Sequence, residues 1–387
     1  MSKWNLMEET IIFRDRIKMA KFVIKAKRFT NSEKVKEFEK RWSEWLGCKY
    51  SLFVSSGSTA NFLLMAAVKE KYNLKQGDKV LLPADTWVTN VSPVIQLGLQ
   101  PIFCDINLSN FSFDKKHLEI IKKKHPDIKA IFVTHLLGFP AENDYYQRLF
   151  PDAIILDDVC ESHGVKFNDN NKVGSRSVGS TFSFYFGHHM TTIEGGMVCT
   201  NDRDLYDLMK MKRSHGMARE SINFAEYSQK YPEINKQFLF ITDGYNFRNH
   251  EICAVLGMSQ LLRLDKMIAK RIDNYKNFVK IINQHQDLFY PASENSGNSS
   301  FCFPIVCRDK DTYNNLVKKL EDNQIEYRPI VGGNLLRHPF LKDYEIEKGK
   351  NTYNVDIVND YGLYLGNSHF VGKKELTLLD KIMKELS

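Results

Sequence analysis

Residues 50–70 read Tyr50-Ser-Leu-Phe-Val-Ser-Ser-Gly57-Ser-Thr-Ala-Asn61-Phe-Leu-Leu-Met-Ala-Ala-Val-Lys-Glu70, a β-rich run, a small polar turn and a helical stretch in direct succession. The same alternation continues to about residue 200. Candidate strands are Tyr50–Val54, Lys79–Leu82, Pro101–Asp105, Ala130–Thr134, Ala153–Leu156, Thr181–Phe186 and Met197–Thr200, with helical patterns between several of them, such as Thr59–Glu70 and Trp87–Leu97. Such alternation predicts an α/β fold with a mostly parallel sheet covered on both faces. Several of these strands end in small or polar clusters: SSGST at 55–59, PADT at 83–86 and DD at 157–158. Ligands of open α/β sheets gather at the carboxyl ends of strands, so the clusters point to one shared site.

After about residue 249 the character changes. A long helical stretch from His250 to about Gln284 precedes a smaller α/β unit, with a strand at Phe301–Val306, a helix around Tyr313–Asp322 and a strand at Ile325–Ile330. Tyr290–Ser300 is a polar loop. The expected organisation is a large domain over 1–248, including an N-terminal helical segment, and a small C-terminal domain over 249–387 joined by the long helix.

The 387 residues are 43% hydrophobic and 26% charged, which suits a two-domain globular chain with a sizeable core. No apolar run approaches the roughly 20 residues of a membrane span. Charge interrupts the apolar stretches of the first thirty residues, unlike a signal peptide, so a cytoplasmic protein without a membrane partner is expected. The formal charge of +7 comes from interspersed residues. Its densest stretches, Lys115-Lys116 with Lys122–Lys124 and Lys210–Arg213, read as solvated helix faces rather than a nucleic-acid footprint. A modest positive balance also suits an anionic small substrate. The seven cysteines are odd in number and contain no CxC or CxxC, so they read as reduced thiols, not disulfides, zinc ligands or an iron–sulfur site.

Two phosphate motifs fail: Gly174–Ser180 has P-loop glycine spacing without the lysine, and no GxGxxG follows a strand. The turn Ser55–Asn61 has the parts of an anion cup, with glycine for close approach, hydroxyl donors and a helix start. A plain helix cap would look the same. Asp157-Asp158 closes the apolar run AIILDD; a carboxylate there can pair with a protonated cofactor ring nitrogen, or merely cap the next turn. The stretch Ser183-Phe-Tyr-Phe-Gly-His188-His189-Met-Thr-Thr-Ile-Glu194-Gly-Gly196 adds two histidines and a glycine pair after a strand. Neighbours on a strand face opposite sides, so the histidines are not expected to chelate a metal together.

These motifs, in this order, resemble the DegT-type nucleotide-sugar aminotransferases, from about residue 25 to the C-terminus. That resemblance implies the aspartate-aminotransferase-like, fold type I architecture and pyridoxal 5'-phosphate as cofactor. It makes SSGSTAN the phosphate cup, with Gly57 and Ser58, and puts Trp87 of PADTW on the pyridine ring. In LDDVCESHG it makes Asp158 the ring-nitrogen partner and sets Glu161, where many relatives have glutamine, near the phenolic oxygen. Ser183 matches a phosphate-binding serine, and Asn246 of GYNFR matches an asparagine that reaches the neighbouring subunit's phosphate, which implies a homodimer with shared sites. His215 of RSHG, Arg248 and Arg328 are the expected substrate-binding residues, with packing roles as the alternative.

One position departs from the aminating pattern. Where those relatives carry the lysine that holds the cofactor covalently, this chain has His188. Imidazole makes no stable Schiff base but moves protons near neutral pH. Within the family this swap resembles the 3-dehydratases of 4-keto-6-deoxy sugars, in the branch without the iron–sulfur cluster; SFYFGHH, EGG, RSHG and IEYRPIVGGN (325–334) add to that likeness. It implies that glutamate converts the cofactor to pyridoxamine 5'-phosphate, releasing 2-oxoglutarate. His188 then acts as the catalytic base while the C3 hydroxyl leaves a nucleotide-linked sugar, GDP-4-keto-6-deoxymannose being the expected one, and ammonia is released. The alternatives are an aminotransferase that tolerates histidine and a cofactor-binding protein without turnover.

Overall fold

In the computed structural model, which describes residues 3–294, 297–342 and 354–386, the alternating segments form one seven-stranded sheet. Its strands are β1 (Tyr50–Val54), β2 (Lys79–Pro83), β3 (Gln100–Cys104), β4 (Ala130–Thr134), β5 (Ile154–Asp158), β6 (Gly179–Ser183) and β7 (Gly196–Thr200). They lie in the order β1-β7-β6-β5-β4-β2-β3, and only β7 runs against the rest. The expected mostly parallel sheet is therefore present. Every residue of β4 is buried; Ala130 and Phe132 join one apolar cluster, Ile131 and Val133 another, so both faces are dry.

Because β1, β2, β5 and β6 point the same way, their polar carboxyl ends meet at one edge. β7 starts at that edge, with Gly196 opposite both Val54 and Ser183. β6 ends at Ser183, not at Phe186 as the residue pattern suggested. The chain leaves the ladder there: Phe184 N–H donates to Gly195 O, and Thr192 N–H returns to Phe184 O. His188 and His189 consequently sit in a turn rather than on a strand, which removes the premise that they face opposite sides.

Two N-terminal helices, α1 (Phe13–Lys25) and α2 (Glu33–Leu46), pack on the long helix Glu251–Ile282. α2 buries Val35, Phe38, Trp42 and Leu46, spaced as one helical face, and stops at Gly47, whose φ of +87° is left-handed. Its aromatic residues meet Phe53 and Phe182 from the sheet and Phe184 just past β6. α3 (Gly57–Lys71) and α4 (Val88–Gln96) begin directly at the sheet's carboxyl edge.

A second sheet has β8 (Cys302–Val306), β9 (Tyr327–Pro329) and β10 (Gly362–Gly366), all antiparallel in the order β8-β10-β9. Trp4 bridges to Ile325 and its Nε1 donates to Gly366 O at 3.0 Å, fastening the chain's start to this smaller sheet. Gly332 and Leu335 press on the PADTW loop, with Leu335 N–H donating to Ala84 O at 3.1 Å. Among the described residues no helix is long and apolar enough to cross a membrane.

Candidate active site

The turn between β1 and α3 is closed by its own hydroxyls. Ser56 Oγ accepts from Thr59 N–H at 3.1 Å, and Thr59 Oγ1 accepts from Ser56 N–H at 2.9 Å. This reciprocal cap leaves the first amides of a fifteen-residue helix without an intrahelical partner. Gly57 is buried and Ser58 exposed. A Cβ on Gly57 would come within 2.6 Å of Ser183 Cβ and 3.1 Å of Cys160 Sγ. The glycine thus lets the helix start, the end of β6 and the loop after β5 converge.

Asp158 ends β5 with only 4% of its surface exposed. Its Oδ1 accepts from Cys160 N–H at 2.8 Å and its Oδ2 from Asn61 Nδ2 at 2.9 Å. Asn61 is itself fully buried and accepts from Thr181 Oγ1 at 2.5 Å. The carboxylate is therefore oriented by a residue one helical turn past Gly57, a role that reading the motif as a phosphate cup passed over. Glu161 Oε2 accepts from Leu137 N–H at 3.1 Å. Burial pushes the Glu161 carboxyl up to about 7; the Leu137 amide opposes the shift and Asp158's charge adds to it. Trp87 precedes α4 with its ring 55% exposed, free to face a ligand. The neighbouring Asp85 is fully buried, and burial, then Glu161's charge, hold it well above the carboxylate range, the Gly332 backbone opposing the shift.

The turn after β6 places the His188 ring 5.6 Å from Phe301, 6.2 Å from Tyr185 and 6.2 Å from His163. Burial, and then the positive Arg271, lower His188 to about 4, so near neutral pH it is a bare imidazole. His189 is buried and its Nε2 lies 3.1 Å from Ser299 O. Among the described residues no group of His, Cys, Asp and Glu could hold a metal.

The expected substrate residues arrive from two directions. Arg248 Nε donates to Asn246 Oδ1 at 2.9 Å, and Arg248 Nη2 lies 3.3 Å from His215 Nε2. Their segment bridges to Val54, and Phe247 O accepts from Ser55 N–H at 3.0 Å, so all three adjoin the cup. His215 holds a positive φ of 65°, fixed by its N–H to Tyr245 O at 2.7 Å. Arg328 is exposed on β9 opposite Tyr364, and Tyr364 lines a small cavity with His188. Sequence reading missed Asn61, Arg271 and Tyr364; only Asn61 lay in a recognised motif.

Comparison with known proteins identifies the family. The model of the DegT/DnrJ/EryC1/StrS aminotransferase family matches residues 11–374. The chain belongs to that family. It is 34% identical over 375 residues to a GDP-4-keto-6-deoxy-D-mannose 3-dehydratase of Yersinia pseudotuberculosis, covering 94% of each chain. A structure of the E. coli GDP-4-keto-6-deoxy-D-mannose-3-dehydratase with bound hydrated PLP superposes with a TM-score of 0.88 at 30% identity, covering 99% of this chain and all of the other. A GDP-4-keto-6-deoxymannose-3-dehydratase with a trapped PLP-glutamate geminal diamine gives 0.87 at 31% identity, covering 98% and 100%. The family's fold is the aminotransferase-like fold type I expected from the motifs.

Proposed function

We propose that this chain is a pyridoxal 5'-phosphate-dependent 3-dehydratase that removes the C3 hydroxyl of a nucleotide-linked 4-keto-6-deoxy sugar, with GDP-4-keto-6-deoxymannose the favoured substrate and glutamate the amino donor. The observation that carries this reading is His188: a neutral imidazole stands in the turn after β6 where aminating relatives tie the cofactor to lysine. The residues present fit the cofactor, since Gly57 leaves room a side chain would fill and Asp158 offers an oriented carboxylate. When bound, it supplies an amino group from glutamate and an electron sink for loss of the hydroxyl.

The chain's own groups divide the remaining work. The α3 amides, Gly57, Ser58 and Ser183 bind the phosphate, where the helix N-terminus favours negative charge. Trp87 would lie against the ring, and Asp158, steadied by Asn61, would pair with the protonated ring nitrogen. Glu161, with its raised pKa, holds a proton below neutral pH and donates it to the phenolic oxygen as a glutamine amide would. His188, with a free lone pair, takes up the proton whose removal drives the C3 hydroxyl out as water. His215, Arg248 and Arg328 grip the nucleotide diphosphate, and Asn246 reaches a second copy's phosphate in a homodimer. His188 offers no amine for a covalent tie, so these contacts alone would hold the cofactor. The net change turns sugar and glutamate into 4-keto-3,6-dideoxy sugar, 2-oxoglutarate and ammonia. Free thiols throughout suit a cytoplasmic enzyme without an iron–sulfur cluster, and the chain divides into 1–248 and 249–387.

Product analysis with GDP-4-keto-6-deoxymannose, PLP and glutamate tests the proposal. Ammonia and a deoxy ketone are expected. A stable amino sugar would assign an aminotransferase instead, and no 2-oxoglutarate at all would mean a binding protein without turnover.

A further inference from the structure

The long helix Glu251–Ile282 carries Arg271 into the region that surrounds His188. Arg271 is 5% exposed, and with His188 it lines a cavity of about 20 Å³, room for one water. Its Nη1 donates to Phe301 O at 2.8 Å and to Asn367 O, while Asn367 Nδ2 returns to Arg271 O at 3.1 Å. Among the described residues its Nε–H meets no partner and no carboxylate pairs with it.

This cation, which no carboxylate pairs with among the described residues, shares its cavity with His188, whose ring has two further imidazoles nearby. His163 lies 6.2 Å from His188 and 5.4 Å from His189, ring to ring. Phe301 joins the group: its carbonyl holds Arg271, and its ring lies 5.6 Å from His188 and 5.8 Å from His189. A guanidinium keeps its proton in proteins, so it is the fixed charge among four nitrogen bases. A second proton here would set like charges together in a poorly solvated place.

We propose that Arg271 is a positioning residue for His188, whose permanent charge keeps the imidazole in its proton-accepting form and whose hold on Phe301 fixes the ring it packs against. The inference rests on the reading of His188 as the base. The other groups facing His188 do not substitute for this charge. They are Glu8 from the N-terminal segment, which accepts from Asn5 Nδ2, Cys302 of β8, Tyr364 of β10, Tyr185 in its own turn, and the neutral His163 and His189. The low value at His188 agrees, and His163 and His189 are likewise held well below the histidine range, by burial first and by Arg271's charge among the further causes.

Histidine ring NMR on the cofactor-free chain reads this without turnover, with His188→Asn used to assign the signal. In the native protein the His188 ring is expected to stay neutral down to about pH 5, well below an ordinary histidine. Arg271→Met removes the charge at similar length and raises the midpoint by about one pH unit, a tenfold gain in proton affinity. Arg271→Lys restores the charge and returns the midpoint toward the native one. An ordinary midpoint in the native protein, or an unchanged one in folded Arg271→Met, overturns the proposal. Should Arg271→Met fail to fold, Arg271→Gln, which removes the charge but keeps amide donors for Phe301 O and Asn367 O, takes its place with the same expected rise. Failure of the base reading itself would surface separately, as dehydratase turnover retained by His188→Asn.

Discussion

Replacing Asn61 with leucine probes how Asp158 is held. Asn61 is fully buried, donates to Asp158 Oδ2 at 2.9 Å and accepts from Thr181 Oγ1 at 2.5 Å. Leucine matches its size but leaves Asp158 Oδ2, on a carboxylate with 4% exposure, without this donor, while Thr181 Oγ1 falls back on Asp157 O at 3.4 Å. Loss of one hydrogen bond to a buried charged group predicts a cost of about 1.5–3 kcal/mol. Urea unfolding of the cofactor-free protein measures it, and a double-mutant cycle with Asp158→Ala isolates the pair, with an expected coupling of about 1.5–3 kcal/mol. Absorbance titration with PLP should show weaker binding in Asn61→Leu, because the ring-nitrogen partner is no longer oriented. Zero coupling together with unchanged PLP affinity would refute the role given to Asn61.

The proton-donor role proposed for Glu161 predicts an alkaline fall in kcat/KM near pH 7, which Glu161→Gln should flatten, since the amide donates at every pH. Its effect on stability has a defined sign. The folded carboxyl keeps its proton up to about 7 while the unfolded one releases it near 4.5, so native stability declines as pH rises across that window. The glutamine variant should lack that decline in urea melts at pH 5 and 8. Gly57→Ala puts a methyl 2.6 Å from Ser183 Cβ, and overpacking of this kind costs about 1–3 kcal/mol; PLP titration should show the larger loss, as the cup cannot close. Trp42→Ala empties the aromatic cluster against Phe182 and Phe184 and should lower unfolding stability by about 3–5 kcal/mol in denaturant melts.

The main sheet was legible because each strand is a short apolar run that stops at a small polar cluster, and parallel order brings those stops to one edge. β6 was misplaced because Phe184, Tyr185 and Phe186 continue its β-like composition, whereas the backbone has already turned to bond Gly195 and Thr192. The central small strand β10, GLYLG, lacked any flanking pattern to mark it; it exists because β8 and β9 pair on either side. Motif residues such as Asp158, Glu161 and Ser183 do converge, since each closes or follows a strand of the same orientation. Arg271 was invisible for the opposite reason. On a 32-residue helix one arginine looks solvated, and only the fold shows it turned inward to share a cavity with His188.

The claim beneath all of this is that the chain binds its coenzyme without a covalent tie and leaves an imidazole free for proton transfer. Borohydride reduction of the PLP-loaded protein followed by intact mass measurement tests it most directly. The native chain should emerge with no added pyridoxyl mass, while His188→Lys should gain one. A native chain that acquires the adduct on some other lysine would contradict the account.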